Sequence, residues 1–229
     1  ILPGRFNDRD VTVKDVFEIV RFASGDGCPI EELHALERVA CPGHGACGGQ
    51  FTANTMACVA EAMGLSLPNS NMVPAPYTSR EQIAHAAGVQ VMDLLARRIR
   101  PRDICTREAF ENAARIVAAT GGSTNGALHL PAMANEAGID FDLFDVADIF
   151  KTTPYLADLQ PGGQYVARDM FDAGGVYMLM KTMMSAGLLH GNCMTVTGRT
   201  LGENIDLVTW NPDQKVIYDV KTPITPTGG

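Results

Sequence analysis

Apolar residues recur at intervals of three and four along most of the chain, which is the spacing of amphipathic helices. Residues that favour a first helical turn precede these runs, and the first run is predicted to end at Gly25. The predicted helices begin near these positions: Thr12, Pro29, Gln50, Thr78, Thr106, Ser123, Asp145 and Gly174. The longest, which begins at Thr78 or Ser79, carries these apolar residues: Ile83, Ala87, Val91, Leu94, Leu95 and Ile99.

Alternation with a period of two, which is typical of a half-buried strand, is clear only over 194–197 and 216–220. A short buried strand over 115–119 remains an alternative inside the helix that begins at Thr106. The helix predicted over 174–186 is rich in methionine, and we interpret its methionines as core residues because Met fills irregular gaps. The pattern therefore indicates an α or α/β protein.

Charge and composition narrow the possible functions. The chain has 229 residues with 18 basic and 26 acidic side chains, a net charge of −8 and a pI near 5.0. An acidic protein of this kind is a poor candidate for binding nucleic acid or an anionic membrane surface. No apolar run reaches the roughly 18 residues of a membrane-spanning helix, and no signal-peptide pattern is present. We therefore expect neither nucleic acid nor membrane as a partner.

The six cysteines are irregularly spaced, which does not suggest a disulfide framework. Free thiols or metal ligands in a reducing compartment such as the cytoplasm fit better. We interpret four of them as ordinary core or surface thiols: Cys28, Cys58, Cys105 and Cys193. About three helical turns separate Cys58 from Cys47, so one metal ion cannot bind both.

The segment 41–49 contains Cys41, His44, Cys47 and four glycines, directly before the helix predicted from Gln50. A thiol near a helix N-terminus is expected to lose its proton more easily, because the positive end of the dipole stabilises the thiolate. Such a loop suits an anionic metal–sulfur group, and the alternative is an ordinary glycine-rich turn with two buried cysteines. Zinc binding by these three side chains is less favoured, since the spacing matches no common zinc site.

A second glycine-containing turn precedes Ser123, Thr124 and Asn125 at a predicted helix start. This arrangement can bind an anion and form the wall of a carboxylate pocket, or it can be an ordinary helix cap.

His129, one turn further along, is interpreted as a core histidine. We interpret three arginines near the end of the long helix as a solvated helix terminus: Arg97, Arg98 and Arg100.

Residues 41–68, CPGHGACGGQFTANTMACVAEAMGLSLP, resemble the signature of dihydroxy-acid dehydratases, in the family that also contains sugar-acid dehydratases. Segments 121–130 and 188–201 resemble two further segments of that family, in the same order. The resemblance implies a helix-rich three-layer α/β/α domain within residues 1–222. It also implies that 223–229 is a linker towards a C-terminal β-barrel domain, and that this domain and the family's N-terminal segment are missing.

The resemblance further implies an iron–sulfur cluster with two or four irons, for which Cys47 provides one thiolate and Cys41 is a weaker candidate. It implies Mg²⁺ as well, and dehydration of a small 2,3-dihydroxy acid to a 2-keto acid in branched-chain amino-acid biosynthesis. The family's Mg²⁺ ligands and its catalytic serine correspond to no residue of this chain, so we expect no catalytic residue here and no activity of the chain alone. The family also assembles as homodimers.

Three alternatives remain open. The first is a sugar-acid dehydratase of the same family. The second is a non-catalytic module that senses oxidants or metal through Cys41 and Cys47. The third is a structural or dimer-forming module, in which the small residues between Ala53 and Ala62 pack across an interface.

Overall fold

The computed structural model describes residues 1–23 and 29–228, and in this part the chain is rich in helices. Two strands pair as an antiparallel hairpin, with Gly4 opposite Val11. The elements are β1 (Gly4–Phe6), β2 (Arg9–Val11), α1 (Val13–Ala23), α2 (Ile30–Ala40), α3 (Thr52–Ala62), α4 (Ser79–Arg97), α5 (Pro101–Ile104), α6 (Arg107–Ala119), α7 (Asn125–Ala137), α8 (Leu143–Lys151), α9 (Ala167–Asp172), α10 (Gly175–Ser185) and α11 (Leu201–Asp206). The predicted helix-rich α/β class is confirmed, and its described sheet consists of β1 and β2.

The core lies around α3, which contacts both α6 and α10. Met178, Met180 and Met183 of α10 are buried there, which confirms the interpretation of the methionines as core residues. A second apolar cluster joins α6 to α7 and α8 through residues such as Phe110 and Leu130. The helix α3 contributes to both clusters, with Cys58 in the first and Val59 in the second.

The predicted strands are wrong. Residues 115–119 form the last turns of α6, and the other two segments make only isolated bridges, Met194 to Thr200 and Ile217 to Ala157. At residues 194–197 the backbone reverses direction, because the N–H of Thr195 donates to the carbonyl of Arg199 at 3.0 Å. Conversely, β1 and β2 are too short to show alternation, although the positive φ of Asn7 and Asp8 between them is typical of a hairpin turn.

Several helix starts follow from local capping. The Thr106 side chain accepts a hydrogen bond from Ala109 N–H at 3.3 Å, as predicted. The helix predicted from Asp145 begins earlier, since Asp142 is the N-cap of α8 and its carboxylate accepts from Phe144 N–H at 2.8 Å. Asp145 instead completes the capping box. Both Gly25 and Cys28 lie outside the described residues.

The predicted long helix is present as α4, and its apolar residues are not buried. None of its residues, all of which lie in the described part of the chain, is buried, and Val91 and Leu95 are 61% and 69% exposed. Periodicity identified the apolar side of α4. It could not show whether another part of the chain covers that side, and in the described residues the side stays largely exposed. At its end, Arg97 pairs with Asp93 at 3.3 Å in contact with solvent, in agreement with the predicted solvated terminus.

The last described residues run along the surface of α8 and the segment that follows it. The N–H of Ile224 donates to the carbonyl of Tyr155 at 2.9 Å, and that of Gly228 donates to Phe150 at 3.1 Å. The boundary at residue 223 stays a prediction. None of the described helices combines the length and hydrophobicity needed to cross a bilayer.

Candidate functional site

Cys47 lies in the glycine-rich loop between α2 and α3 and is half-buried beside a cavity of about 210 Å³. Two basic side chains, Arg80 and Arg168, line the same cavity, together with Asn54 and Asn71. The wall of this cavity therefore combines apolar, polar and basic side chains, and the guanidinium of Arg168 is paired with Asp169 at 3.0 Å. The basic part of the wall can attract an anionic group.

The loop can approach this cavity because its glycines leave room. At Gly45 the φ angle is +117°, and an added Cβ would lie 2.8 Å from the Cβ of Ala75. A side chain there would be strained by its backbone conformation and would also clash with the opposite wall. The glycine thus permits the close contact between the loop and the wall at Ala75.

Two backbone contacts hold the end of the loop against the segment 160–167. The N–H of Gln50 donates to the carbonyl of Gln160, and the N–H of Ala167 donates to the carbonyl of Gly48, both at 2.6 Å. The Gln50 side chain is buried and donates to the Thr120 hydroxyl at 3.1 Å. Its Oε1 has no hydrogen-bond partner among the described residues. The loop is therefore attached to the core at its C-terminal end.

The first turn of α3 connects the loop to the second glycine-containing turn. The Asn54 amide donates to the carbonyls of Cys47 and Gly49 at 2.8 and 2.6 Å. On the other side of the turn, the Thr55 hydroxyl accepts from Ser123 N–H at 2.9 Å. The Thr52 hydroxyl lies 3.2 Å from the hydroxyl of Ser123. The structure thus brings Cys47 and the turn at Ser123 to the same end of α3.

Ser123, Thr124 and Asn125 lie at the start of α7 with their side chains at the surface or partly exposed. Thr124 makes no side-chain cap, whereas the Ser123 hydroxyl accepts from Asn125 N–H at 3.2 Å. Both interpretations of this turn, an ordinary helix cap and the wall of an anion pocket, remain open. Ser123 is a local cap, and the turn also borders the N-terminus of α3. The cavity beside Cys47 is not lined by these three residues.

The ionisation expected for Cys47 is wrong for the described chain. Burial raises the pKa of the Cys47 thiol above its ordinary value, although the N–H groups of Cys47 and Gly49 act in the opposite direction. The prediction placed the thiol at the start of a helix, whereas α3 begins only at Thr52 and Cys47 lies in the preceding loop. Those two loop N–H groups nevertheless face the sulfur, as they would face a ligand thiolate.

The remaining described cysteines differ in their surroundings. Cys41 is exposed, and Cys58 and Cys193 are buried in the core. Burial raises the pKa of the Cys58 thiol to about 12, so it stays protonated at neutral pH. Within the described ranges, no three His, Cys, Asp or Glu side chains are close enough together to hold a metal ion. His44 is exposed in the loop and belongs to no such group.

The interpretation of His129 as a core histidine is wrong, because its side chain is exposed. It lines a second, mostly apolar cavity of about 640 Å³ together with Met56, Cys105 and Met133. Leu130, its neighbour in α7, is the residue that turns into the core. Met56 faces away from Asn54 on α3, so this cavity lies on a different side of the helix from Cys47.

Sequence reasoning missed Asn54, Arg80 and Arg168 as residues of the Cys47 site. A signal for Asn54 was present, because an amide side chain in the first turn after a glycine-rich loop can bond back to that loop. No local signal marks the two arginines, which come from α4 and α9 and meet Cys47 only through the fold.

Comparison with known proteins agrees with this arrangement of motifs. Residues 1–204 match the model of the family described as "Dihydroxy-acid/6-phosphogluconate dehydratase N-terminal". The chain is 65% identical over its whole length to a protein of Parvibaculum lavamentivorans named dihydroxy-acid dehydratase. It is 62% identical to one of Dinoroseobacter shibae and 61% identical to one of Pelagibacter ubique with the same name.

In each of these three comparisons the whole chain is covered, but only 40% of the relative. The chain thus spans about 40% of the length of the curated relatives that it matches. The family model covers β1 to most of α11, including both glycine-containing turns. On this evidence, the chain belongs to the dihydroxy-acid/6-phosphogluconate dehydratase N-terminal family.

Proposed function

We propose that this chain is part of a hydro-lyase that converts 2,3-dihydroxy-3-methyl carboxylic acids to 2-keto acids in branched-chain amino-acid biosynthesis. The names and high identity of the relatives support this substrate class. The observation that carries the proposal is the placement of Cys47 at a cavity whose wall includes Arg80 and Arg168. A small anionic substrate or an anionic cofactor fits such walls.

Cys47 is the residue that we assign as one ligand of an iron–sulfur cluster. Its half-buried thiol, the loop N–H groups directed at the sulfur and the free space in front of it fit this group. Cys41 is exposed at the start of the loop and remains the weaker candidate. A bound cluster would supply a Lewis acid for departure of the substrate's 3-hydroxyl group. The chain's own contribution is to hold one thiolate and to shape the cavity around it.

The catalytic set of the proposed enzyme is larger than the part that we assign to this chain. We assign neither the Mg²⁺ ligands nor the base for the α-proton to any of its residues. We propose that the chain alone is inactive and that these groups come from other parts of a longer enzyme. Ser123, Thr124 and Asn125 would then form part of the wall near the substrate carboxylate.

The remaining features of the proposal concern compartment and assembly. Free thiols at all five described cysteines support a reducing, cytoplasmic location. The partners proposed are a small dihydroxy acid and a second copy of the enzyme, with neither nucleic acid nor membrane. A sugar-acid substrate is the alternative within the same family, and thiol sensing by Cys41 and Cys47 is the alternative outside it.

The decisive experiment compares this chain with a protein of the relatives' full length that contains it, both purified without oxygen. Iron, acid-labile sulfide, visible absorption and turnover of 2,3-dihydroxy-3-methylbutanoate are measured for each. We expect turnover only in the longer protein, and loss of iron and sulfide when Cys47→Ser is introduced. The matched control is Cys105→Ser, which removes another half-buried thiol outside the cavity.

Three results would contradict the proposal. Turnover by the 229-residue chain would show that it is competent alone. Full cluster content in the Cys47→Ser protein would remove Cys47 as a ligand. Reversible oxidation of Cys41 and Cys47 in a longer protein that binds no iron would favour the sensing alternative.

A further inference from the structure

Among the described side chains, only that of Asn54 forms a hydrogen bond with the backbone of Cys47. It lies in the first turn of α3 and reaches back over the loop, where Nδ2 is 2.8 Å from the carbonyl oxygen of Cys47 and 2.6 Å from that of Gly49. Both carbonyls lie on the C-terminal side of the Cys47 Cα, which carries the side chain with the sulfur. One amide group therefore ties the backbone directly after this carbon to α3.

The loop needs such a contact because its own sequence does not fix it. Gly48 and Gly49 have little steric restriction, and ordering them costs conformational entropy. The backbone contacts of Gly48 and Gln50 hold the C-terminal end of the loop to the segment 160–167, but neither involves Cys47. An Asn amide is well suited to the task, since its NH₂ group can donate to two carbonyls at once.

We propose that Asn54 is the positioning residue for Cys47, which fixes the direction in which the sulfur enters the cavity. Asn54 acts through the backbone of Cys47 and Gly49 and touches no reacting atom. The relevance of this role to an iron–sulfur group rests on the proposed function. The geometric effect, by contrast, is a property of the metal-free chain and can be measured there.

The test is the rate at which iodoacetamide alkylates Cys47 in the metal-free chain, resolved by peptide mass spectrometry. Asn54→Asp keeps the shape of the side chain, but an ionised carboxylate cannot donate to the two carbonyls. Loss of two hydrogen bonds of ordinary strength is expected to raise the limiting alkylation rate roughly tenfold. Measuring across the titration of the thiol separates this change from a shift in its pKa.

Three controls accompany the measurement. Asn54→Ala removes the donors without adding charge and is expected to behave like Asn54→Asp. Thr52→Val alters the same helical turn on the side of Ser123 and is expected to leave the Cys47 rate unchanged. Cys41 is exposed in the same loop and serves as an internal reference whose rate stays constant. Circular dichroism establishes that each variant is folded.

Equal Cys47 rates in the wild-type chain and both folded Asn54 variants would overturn the proposal. A lower melting temperature without a change in the Cys47 rate would also overturn it, because that result describes a purely structural residue. Iron content and the electron paramagnetic resonance signal of the reduced cluster are then compared in the longer protein, where Asn54→Asp is expected to shift the signal. If the wild-type longer protein binds no iron, the proposed function fails, while the alkylation rates still decide the role of Asn54.

Discussion

The side-chain nitrogen of Asn125 lies 2.8 Å from the hydroxyl oxygen of Thr52, although 73 positions separate the two residues in the chain. Thr52 is the first residue of α3 and Asn125 is the first residue of α7. The N-termini of two helices therefore meet at the end of the molecule that carries Cys47.

This contact predicts the behaviour of Thr52→Val, which removes the hydroxyl group and keeps the branched shape. The variant loses the contacts with Ser123 and Asn125, and we expect the free energy of unfolding to fall by about 1 kcal/mol. Urea denaturation measures the change. Thr152→Val, which removes a local bond at an exposed helix end, should alter stability by less than about 0.5 kcal/mol. An equal loss in both variants would show that the contact between α3 and α7 is not stabilising.

Two glycines that follow helices at positive φ provide a matched pair. Gly64 follows α3 with φ +78° and Gly138 follows α7 with φ +77°. Alanine at either site is expected to cost about 1 kcal/mol for the backbone conformation. At Gly64 an added Cβ would also lie 2.7 Å from the Thr195 side chain, whereas at Gly138 it would meet open space. Gly64→Ala should therefore lose clearly more stability in urea than Gly138→Ala, and equal losses would contradict the packing at Thr195.

The buried carboxyl group of Glu61 makes stability depend on pH. Its oxygens accept from the N–H groups of Asn69 at 2.9 Å and Asn71 at 2.8 Å, and it is fully buried. Burial raises the pKa of Glu61 from 4.5 to about 7 despite these bonds. The folded chain therefore holds this proton at pH values where the unfolded chain has lost it.

It follows that the contribution of Glu61 is fully present below pH 4.5, the ordinary pKa of the group, and is lost as the pH rises towards 7. We expect the free energy of unfolding to fall over this window by an amount on the order of 3 kcal/mol. Glu61→Gln should remove this slope and lower stability throughout, because an amide nitrogen would face one of the two N–H donors. Urea titrations at a series of pH values would contradict this if the slope persisted in Glu61→Gln.

Tyr177 is fully buried in α10, and its hydroxyl has no hydrogen-bond partner within the described part of the chain. Burial raises the pKa of this hydroxyl, so it remains protonated. Tyr177→Phe removes an unpaired polar group and keeps the ring, so we expect stability to stay the same or rise by about 1 kcal/mol. Tyr177→Ala should lose about 3–5 kcal/mol by creating a cavity. Thermal unfolding of both variants measures these changes. A large loss of stability in Tyr177→Phe would contradict the expectation, because it would show that the hydroxyl group forms a stabilising hydrogen bond.

The sequence was most informative where the cause of structure is local. The helix beginning after Thr106 was predictable, since the Thr106 hydroxyl caps an N–H three residues ahead. The glycine-rich loop around Cys47 was recognisable for the same reason. The strands were not predictable, because a strand requires a partner, and the segments 194–197 and 216–220 meet one for only a single residue pair each.

By itself, therefore, the sequence determined the helical content, the two glycine-containing turns and the family to which the motifs point. The tertiary structure alone decided that Asn54 ties down Cys47, that two arginines from α4 and α9 share its cavity, and that α4 and His129 are exposed. The physical reason is the distance along the sequence over which each effect acts. Capping and periodicity act over three or four residues, whereas a cavity is formed by side chains that only packing brings together.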